Sequence, residues 1–447
     1  MVLPAFFQLA QRGLLPADWQ LVGSGRGDLS HEDFTARVHD ALAEFGPHPD
    51  EGPWEDFSSR LRFAGGGFTP EDAGSLPEVL AQARADLGED VQVVHYLAVP
   101  PTAFAGITRG LAEHDLTTGA RVVFEKPYGT SPESFRELDE LVLSVLAEDQ
   151  VFRIDHFLGK EGSQDLHVLR FANGLFEQVW NAEHVRQVQI DVPETLDVAQ
   201  RADFYDQTGA MLDMLVTHLF QLAAEVAMEP PLSLSPADLQ AAREAVLAAF
   251  RPLSPEDVVL GQFDGYTDID GIAADSQTDT FVAARLWVDT DRWHGVPFVL
   301  RTGKKLGGDA QRVSLLLRRP DGPVASVPGA GNVVSLSLSG EGAIDLRLVT
   351  KKPGPDLALA EARTSLQLGD VPGGDPLPPY VSLIHDVITG DRSLFTTSAG
   401  LGSAWAAVQP LLDARPPVQP YAPGSWGPAA ADELAAPCGW LLGQHED

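Results

Sequence analysis

The sequence predicts a two-part α/β protein. A doubly wound, parallel α/β domain spans residues 1–153, and an α+β domain with a large, mostly antiparallel sheet spans 154–447. Three observations carry this reading. Short apolar strands alternate with helical stretches up to about residue 150, the pattern of a parallel sheet covered on both faces. Beyond that point, alternating strands follow one another with few helices between them, which implies antiparallel pairing. The chain of 447 residues is also too long for one simple core.

Taken in order, residues 4–12 read as a helix, 19–23 as a short strand and 31–45 as a second helix. Residues 91–99 form a strong apolar strand ending at Pro100-Pro101. A helix is expected over 102–114 and a strand over Arg121–Phe124. Ser131 caps a further helix with Pro132 at its first position, and a strand follows over 151–155. In the second part, helices are expected around 161–173 and 209–228. Strands are expected at 185–191, 280–288, 297–301, 313–318, 332–338 and 343–349. The Gly- and Pro-rich segments 319–331 and 369–380 read as loops.

Composition narrows the function. A hydrophobic share of 44% with 21% charged residues is that of a soluble globular protein. Apolar runs such as 216–224 are broken by His and Gln and fall short of a membrane span. No secretory signal is visible at the start, and Cys438 is the sole cysteine, so neither a disulfide framework nor a cysteine-built zinc site is expected. A cytoplasmic location follows. The net charge of -33 argues against nucleic acid and anionic membranes as partners. An anionic substrate must then be held by a few well-placed cations. The chain has six lysines, and Lys126, Lys160, Lys304 and Lys305 sit just beyond expected strand ends.

The densest constellation is Arg153-Ile154-Asp155-His156-Phe157-Leu158-Gly159-Lys160-Glu161, where a buried strand runs into a polar cluster and a glycine. Open α/β sheets place ligands at such strand ends. His156 and Lys160 suit an anion, and Asp155 suits the orientation of a base; a solvated strand–helix turn is the plainer alternative. Asp213 and His218 interrupt a nearly continuous apolar helix, where a buried polar group is costly unless paired or used. Five residues apart, they lie about 140° apart around an α-helix, so each needs a partner elsewhere. A lone histidine on an apolar helix is more often a satisfied core residue, and taken alone His218 is a candidate only. Glu125-Lys126-Pro127-Tyr128-Gly129 and Arg301-Thr302-Gly303-Lys304-Lys305-Leu306 are two further strands that end in basic turns. Gly23-Ser24-Gly25-Arg26-Gly27 lacks the spacing of a dinucleotide loop. Its Arg26, with no acidic residue in that place, suits a ribose 2′-phosphate and hence NADP; an exposed loop arginine fits equally well.

Together these segments, with Tyr96-Leu97-Ala98, Gly295-Val296-Pro297-Phe298 and Gly424-Ser425-Trp426-Gly427-Pro428, resemble the glucose-6-phosphate dehydrogenase family over essentially the whole chain. The resemblance implies a Rossmann-like first domain, glucose 6-phosphate as substrate, NADP as cofactor and a homodimer or homotetramer. It implies that His218 takes the proton from the C1 hydroxyl while Asp155 orients and stabilises the imidazole. His156 and Lys160 would bind the 6-phosphate, and Glu194 and Asp213 the sugar hydroxyls. Lys126 would lie between substrate and cofactor, and Lys304 would contact the substrate. The chain departs from the family at Phe157 (usually tyrosine), Thr217 (usually asparagine) and Asp309 (usually a cation). The family also opens with a strand and a G-x-x-G-D-L turn, whereas Met1-Val2-Leu3-Pro4-Ala5 already matches its first helix. The first strand and Gly-rich turn are thus missing from the pattern, which is expected to expose neighbouring strand edges. Two readings follow: an NADP-dependent enzyme whose start lies upstream of Met1, or a cofactor-deficient paralogue acting as a sugar-phosphate sensor or partner subunit. Keeping both His218 and Asp155 favours the enzyme.

Overall fold

Two short parallel sheets build the first part of the chain. In one, β1 (Leu21–Ser24) pairs with β2 (Leu61–Ala64), Leu21 opposite Leu61 and Ser24 opposite Ala64. In the other, β3 (Val94–Leu97), β4 (Arg121–Phe124) and β5 (Val151–Arg153) run in the order β3-β4-β5. This is a computed structural model that describes residues 2–47, 50–320, 322 and 331–443. Among the described residues no strand joins the two sheets. Helices separate the strands, and their starts follow from local chemistry. Ser30 caps His31–Phe45 by accepting the Asp33 N–H at 3.0 Å, with Glu32 and Asp33 in the first turn. Ser131 and Ser134 cap Pro132–Val145 reciprocally.

The chain forms two units, Met1–Gly159 with Leu377–Ser398, and Lys160–Pro376 with Ala399–Asp447. The boundary expected after residue 153 therefore lies at Gly159, and the second unit is not continuous. Packing explains both differences. Ile154 and Leu158 join a core cluster with Val123, Phe152, Leu383, Val387, Leu394 and Phe395. The helix Pro379–Thr389 also places Val381 and Ile384 against Ala5 and Leu9 of the first helix, Val2–Gln11. At its end, the Arg121 guanidinium donates to the carbonyls of Val387 and Ile388 at 2.7 and 2.6 Å, a cation on free helix C-terminal carbonyls. The first two residues of this helix fall within the expected loop 369–380. Most of the loop expected at 319–331 lies outside the described residues.

This helix makes a test available. Burial, with Asp391 adding to it, pushes the Asp386 carboxyl up to about 7. A raised acid favours the protonated fold, so its stabilising effect is present below the ordinary carboxylate range and is lost as pH rises through about 7. Asp386→Asn is expected to match the wild type at pH 4. At pH 8 it is expected to be more stable, by on the order of 2–4 kcal/mol, in denaturant titrations.

The second unit holds a nine-stranded sheet. Its strands are β6 (Val185–Pro193), β7 (Val258–Phe263), β8 (Phe281–Leu286), β9 (Phe298–Gly303), β10 (Arg312–Leu317), β11 (Val333–Ser337), β12 (Ala343–Lys351), β13 (Leu359–Gln367) and β14 (Val418–Tyr421). The order is β13-β12-β11-β10-β6-β9-β8-β7-β14. Only the β6–β9 and β7–β14 pairings are parallel, so the expectation of a mostly antiparallel sheet holds. The sequence reading missed β7, β13 and β14.

A helical run, Ala202–Ala227, is long and apolar enough to cross a membrane by length and composition. However, 83% of its most apolar window is buried within the protein, as in a core helix. Its middle, Met211–Leu219, is π-helical. The run continues as Phe220–Ala227, whose Glu225 is enclosed by Arg243 and His167 in a buried cluster.

Candidate active site

In the first unit, the candidate residues lie where the parallel strands end. The pairing of Phe124 with Arg153 sets Glu125 and Lys126 beside Ile154 and Asp155 in register, and the Ile154 N–H continues the ladder to the Phe124 carbonyl at 3.0 Å. Asp155 is 4% exposed. Its Oδ1 accepts the Phe157 N–H at 2.9 Å and its carbonyl accepts the Leu158 N–H at 3.1 Å, so the chain turns sharply there. The turn presents His156, whose ring stacks on Tyr380 with centroids 6.1 Å apart. Tyr380 donates to Glu125 Oε2 at 3.3 Å, and Tyr96 donates to Glu125 Oε1. Burial, and then the Glu125 charge, raise the Tyr96 phenol far above its ordinary range, which keeps it a donor. Arg153 is used differently. It is 1% exposed, bonded to Asp139 at 2.7 Å and Glu148 at 2.8 Å, and lies over the Tyr128 ring. Of the sequence block it begins, this residue is structural.

Arg26 is exposed at the carboxyl ends of β1 and β2. Two glycine-rich turns run side by side there. The Gly67 N–H donates to the Gly25 carbonyl at 2.9 Å, and the Gly66 N–H to the Gly27 carbonyl at 3.3 Å. Gly66 has φ +88°, and a Cβ there would lie 3.0 Å from the Gly74 backbone, so this cradle tolerates only glycine. Sequence reasoning considered the first turn and missed the second, although Gly65-Gly66-Gly67 directly after an apolar strand was a usable signal.

In the second unit, parallel pairing does the positioning. The register of β6 with β9 ends at Pro193 opposite Gly303, so the next residues, Glu194 and Lys304, emerge side by side and form an ion pair. The Glu194 N–H donates to the Gly303 carbonyl at 3.0 Å, the Lys304 N–H donates to the Thr280 carbonyl at 2.8 Å, and the Tyr421 hydroxyl donates to the Lys304 carbonyl at 2.7 Å. Lys160, just before the helix Glu161–Phe171, donates to Gln311 Oε1. Lys305 packs over the Phe263 ring at 4.8 Å and lies 3.7 Å from Asp197.

Asp213 and His218 require a correction. The angle of about 140° applies to an α-helix, but Met211–Leu219 is π-helical, and the Phe220 N–H bonds to the Leu215 carbonyl five residues back. Residues five apart then stack on one face, so Asp213 and His218 share a side of this element. The Thr217 hydroxyl bonds to the Asp213 carbonyl at 2.6 Å, occupying a carbonyl inside the widened turn. π-bulges concentrate at functional sites. His218 is fully buried.

Asp279 starts this segment, and no motif or spacing pointed to it. Gly209 breaks the helix with φ +67°, and a Cβ there would lie 2.7 Å from Asp279 Oδ1. The Ala210 N–H donates to the Asp279 carbonyl at 2.8 Å and the Met211 N–H to its Oδ2 at 2.7 Å, while Arg415 pairs with its Oδ1. Burial pushes the Asp279 carboxyl up, against the pull of Arg415 and the Met211 N–H.

The chain is similar to known proteins along nearly its whole length. Residues 1–165 match the family model described as the glucose-6-phosphate dehydrogenase NAD binding domain, and residues 167–441 match that of the C-terminal domain. The chain is 38% identical to glucose-6-phosphate 1-dehydrogenase 2 of Mycobacterium tuberculosis, over 97% of this chain and 89% of that protein. It is 35% identical to glucose-6-phosphate 1-dehydrogenase of Gluconobacter oxydans, over 97% and 93%. Among solved structures, that of glucose-6-phosphate 1-dehydrogenase from Mycobacterium avium superposes with a TM-score of 0.89 at 32% identity, covering 100% of this chain and 96% of that one. A glucose-6-phosphate dehydrogenase in complex with its substrate glucose-6-phosphate also gives 0.89, at 29% identity, covering 99% and 95%.

Proposed function

The chain belongs to the glucose-6-phosphate dehydrogenase family, and from that premise we propose which of its residues carry the family's reaction. The reaction is oxidation of glucose 6-phosphate at C1, giving 6-phosphoglucono-1,5-lactone and NADPH, the first oxidative step of the pentose phosphate pathway. His218 is the general base: the imidazole takes the C1 hydroxyl proton as hydride leaves C1. Asp155 orients that imidazole and stabilises the cation that forms. Burial of both groups supports these roles, because an isolated buried ionisable group is costly. His156 and Lys160 take the 6-phosphate. Glu194 and Asp213 accept from sugar hydroxyls, and Lys304 donates to one.

NADP, when bound, supplies the hydride acceptor. The paired glycine turns after β1 and β2 fit a nucleotide, because close backbone approach without side chains is what a phosphate-bearing ligand needs. Arg26, exposed between them, is assigned the 2′-phosphate, and Lys126 lies between nucleotide and sugar. The single observation that carries the reading is the pairing of Glu194 with Lys304 at the ends of β6 and β9, on the unit whose π-helical segment bears Asp213 and His218.

Glucose 6-phosphate with NADP is expected to yield NADPH, followed spectrophotometrically. If the chain binds the sugar phosphate but forms no NADPH, the sensor reading takes its place. A homodimer or homotetramer is proposed by family, with Leu348 on β12 and Leu366 on β13 as exposed apolar residues that an interface would cover. A cytoplasmic location rests on the same premise.

A further inference from the structure

Tyr205, on the helix Ala202–Ala210, is 4% exposed and packs in a core cluster with Phe281, Leu306 and Tyr421. Its hydroxyl has no hydrogen-bond partner among the described residues. The sequence has six tyrosines, and the other five all donate: Tyr96 and Tyr380 to Glu125, Tyr128 to Asp139, Tyr266 to Asp206, and Tyr421 to the Lys304 carbonyl. A buried donor without an acceptor is costly, so each one calls for an explanation.

Its neighbours indicate which function. Lys304 Nζ lies 5.6 Å from the Tyr205 ring centroid, within cation–π range. Burial, and then the carboxylates of Asp213, Asp279 and Glu194, push the phenol well above its ordinary range, so it stays a neutral donor at any working pH. Asp279 is held by the Met211 N–H and Arg415, and Glu194 by Lys304. The phenol thus stands beside Glu194, Asp213 and Lys304, the groups assigned to the sugar.

We propose that Tyr205 is a substrate contact whose hydroxyl donates to a ring hydroxyl of the sugar phosphate. The proposal rests on the assignment of Glu194, Asp213 and Lys304 to that sugar. It completes the polar lining with a neutral donor on a rigid aromatic stem. Lys304 supplies charge there, and Tyr205 supplies direction.

Tyr205→Phe in the full chain tests this. The expected result is a roughly 3–10-fold higher KM for glucose 6-phosphate with kcat little changed, the worth of one neutral hydrogen bond. Without substrate, the thermal midpoint is expected to be unchanged or higher, because the variant removes an unsatisfied group. Among 2-, 3- and 4-deoxy analogues, one is expected to bind wild type and variant equally, identifying the hydroxyl that is recognised. An unaltered KM overturns the proposal. So does a lower midpoint in the substrate-free protein, which would make the hydroxyl part of the fold. If the wild type itself fails to bind glucose 6-phosphate, the assignment of the site falls first. If it binds and the variant binds as tightly, only the role of Tyr205 falls.

Discussion

His218→Asn is expected to lower turnover by roughly 10²–10⁴-fold while glucose 6-phosphate binding stays near wild type. The asparagine keeps a polar group of similar reach at a fully buried position, so the π-helical segment keeps its packing. It has no basic nitrogen for the C1 proton. The loss should therefore appear in kcat and leave the dissociation constant for the sugar phosphate, measured by calorimetry without cofactor, almost unchanged. Unchanged turnover would remove His218 from the mechanism. A loss of binding in step with turnover would make it a structural histidine.

The second large effect is on stability. Glu225 is 3% exposed and accepts from Arg243 Nε and His167 Nε2, whose side chains are 3% and 10% exposed. Burial raises its pKa, but Arg243 and His167 outweigh burial and hold the carboxyl at about 2. Glu225→Gln removes the carboxylate charge that faces the buried Arg243 guanidinium and His167, and breaking a buried pair typically costs about 3–5 kcal/mol. Its sign with pH is fixed. A depressed carboxyl contributes stability that is complete above its ordinary value of 4.5 and is lost as pH falls through about 2. The difference between wild type and variant in urea unfolding should be full at pH 7 and shrink as the solution is acidified below about pH 4.

What could be read from the sequence divides by the range of the interaction. Ser131 before Pro132 set a helix start that the structure reproduces, because a cap is a local event. The strand-end lysines were legible for a similar reason: Lys126 and Lys304 follow apolar runs whose ends show in sequence. The pairing of Glu194 with Lys304 was not legible, since it depends on β6 and β9 being parallel neighbours despite their distance along the chain. Asp213 and His218 misled for another reason. Periodicity assumes 3.6 residues per turn, and nothing in Met211–Leu219 announces a π register. Asp279 and Tyr205 act through tertiary contacts, which leave no spacing in the sequence. The helix Leu76–Leu87 escaped notice because it buries only Leu76 and Ala83 and so carries a weak apolar stripe.

The return of residues 377–398 to the first unit has a consequence for synthesis. The hydrophobic clusters beneath Val2–Gln11 and around Phe152 are completed by side chains of Pro379–Thr389 and by Leu394 and Phe395. On the ribosome, the nucleotide-binding half must wait for almost the whole chain before its core can close. Its apolar surfaces stay exposed meanwhile, when nascent proteins most need chaperones. Expressed alone, a fragment ending at Gly159 should aggregate. The same fragment supplied with residues 377–398 as a separate peptide should be the more soluble of the two.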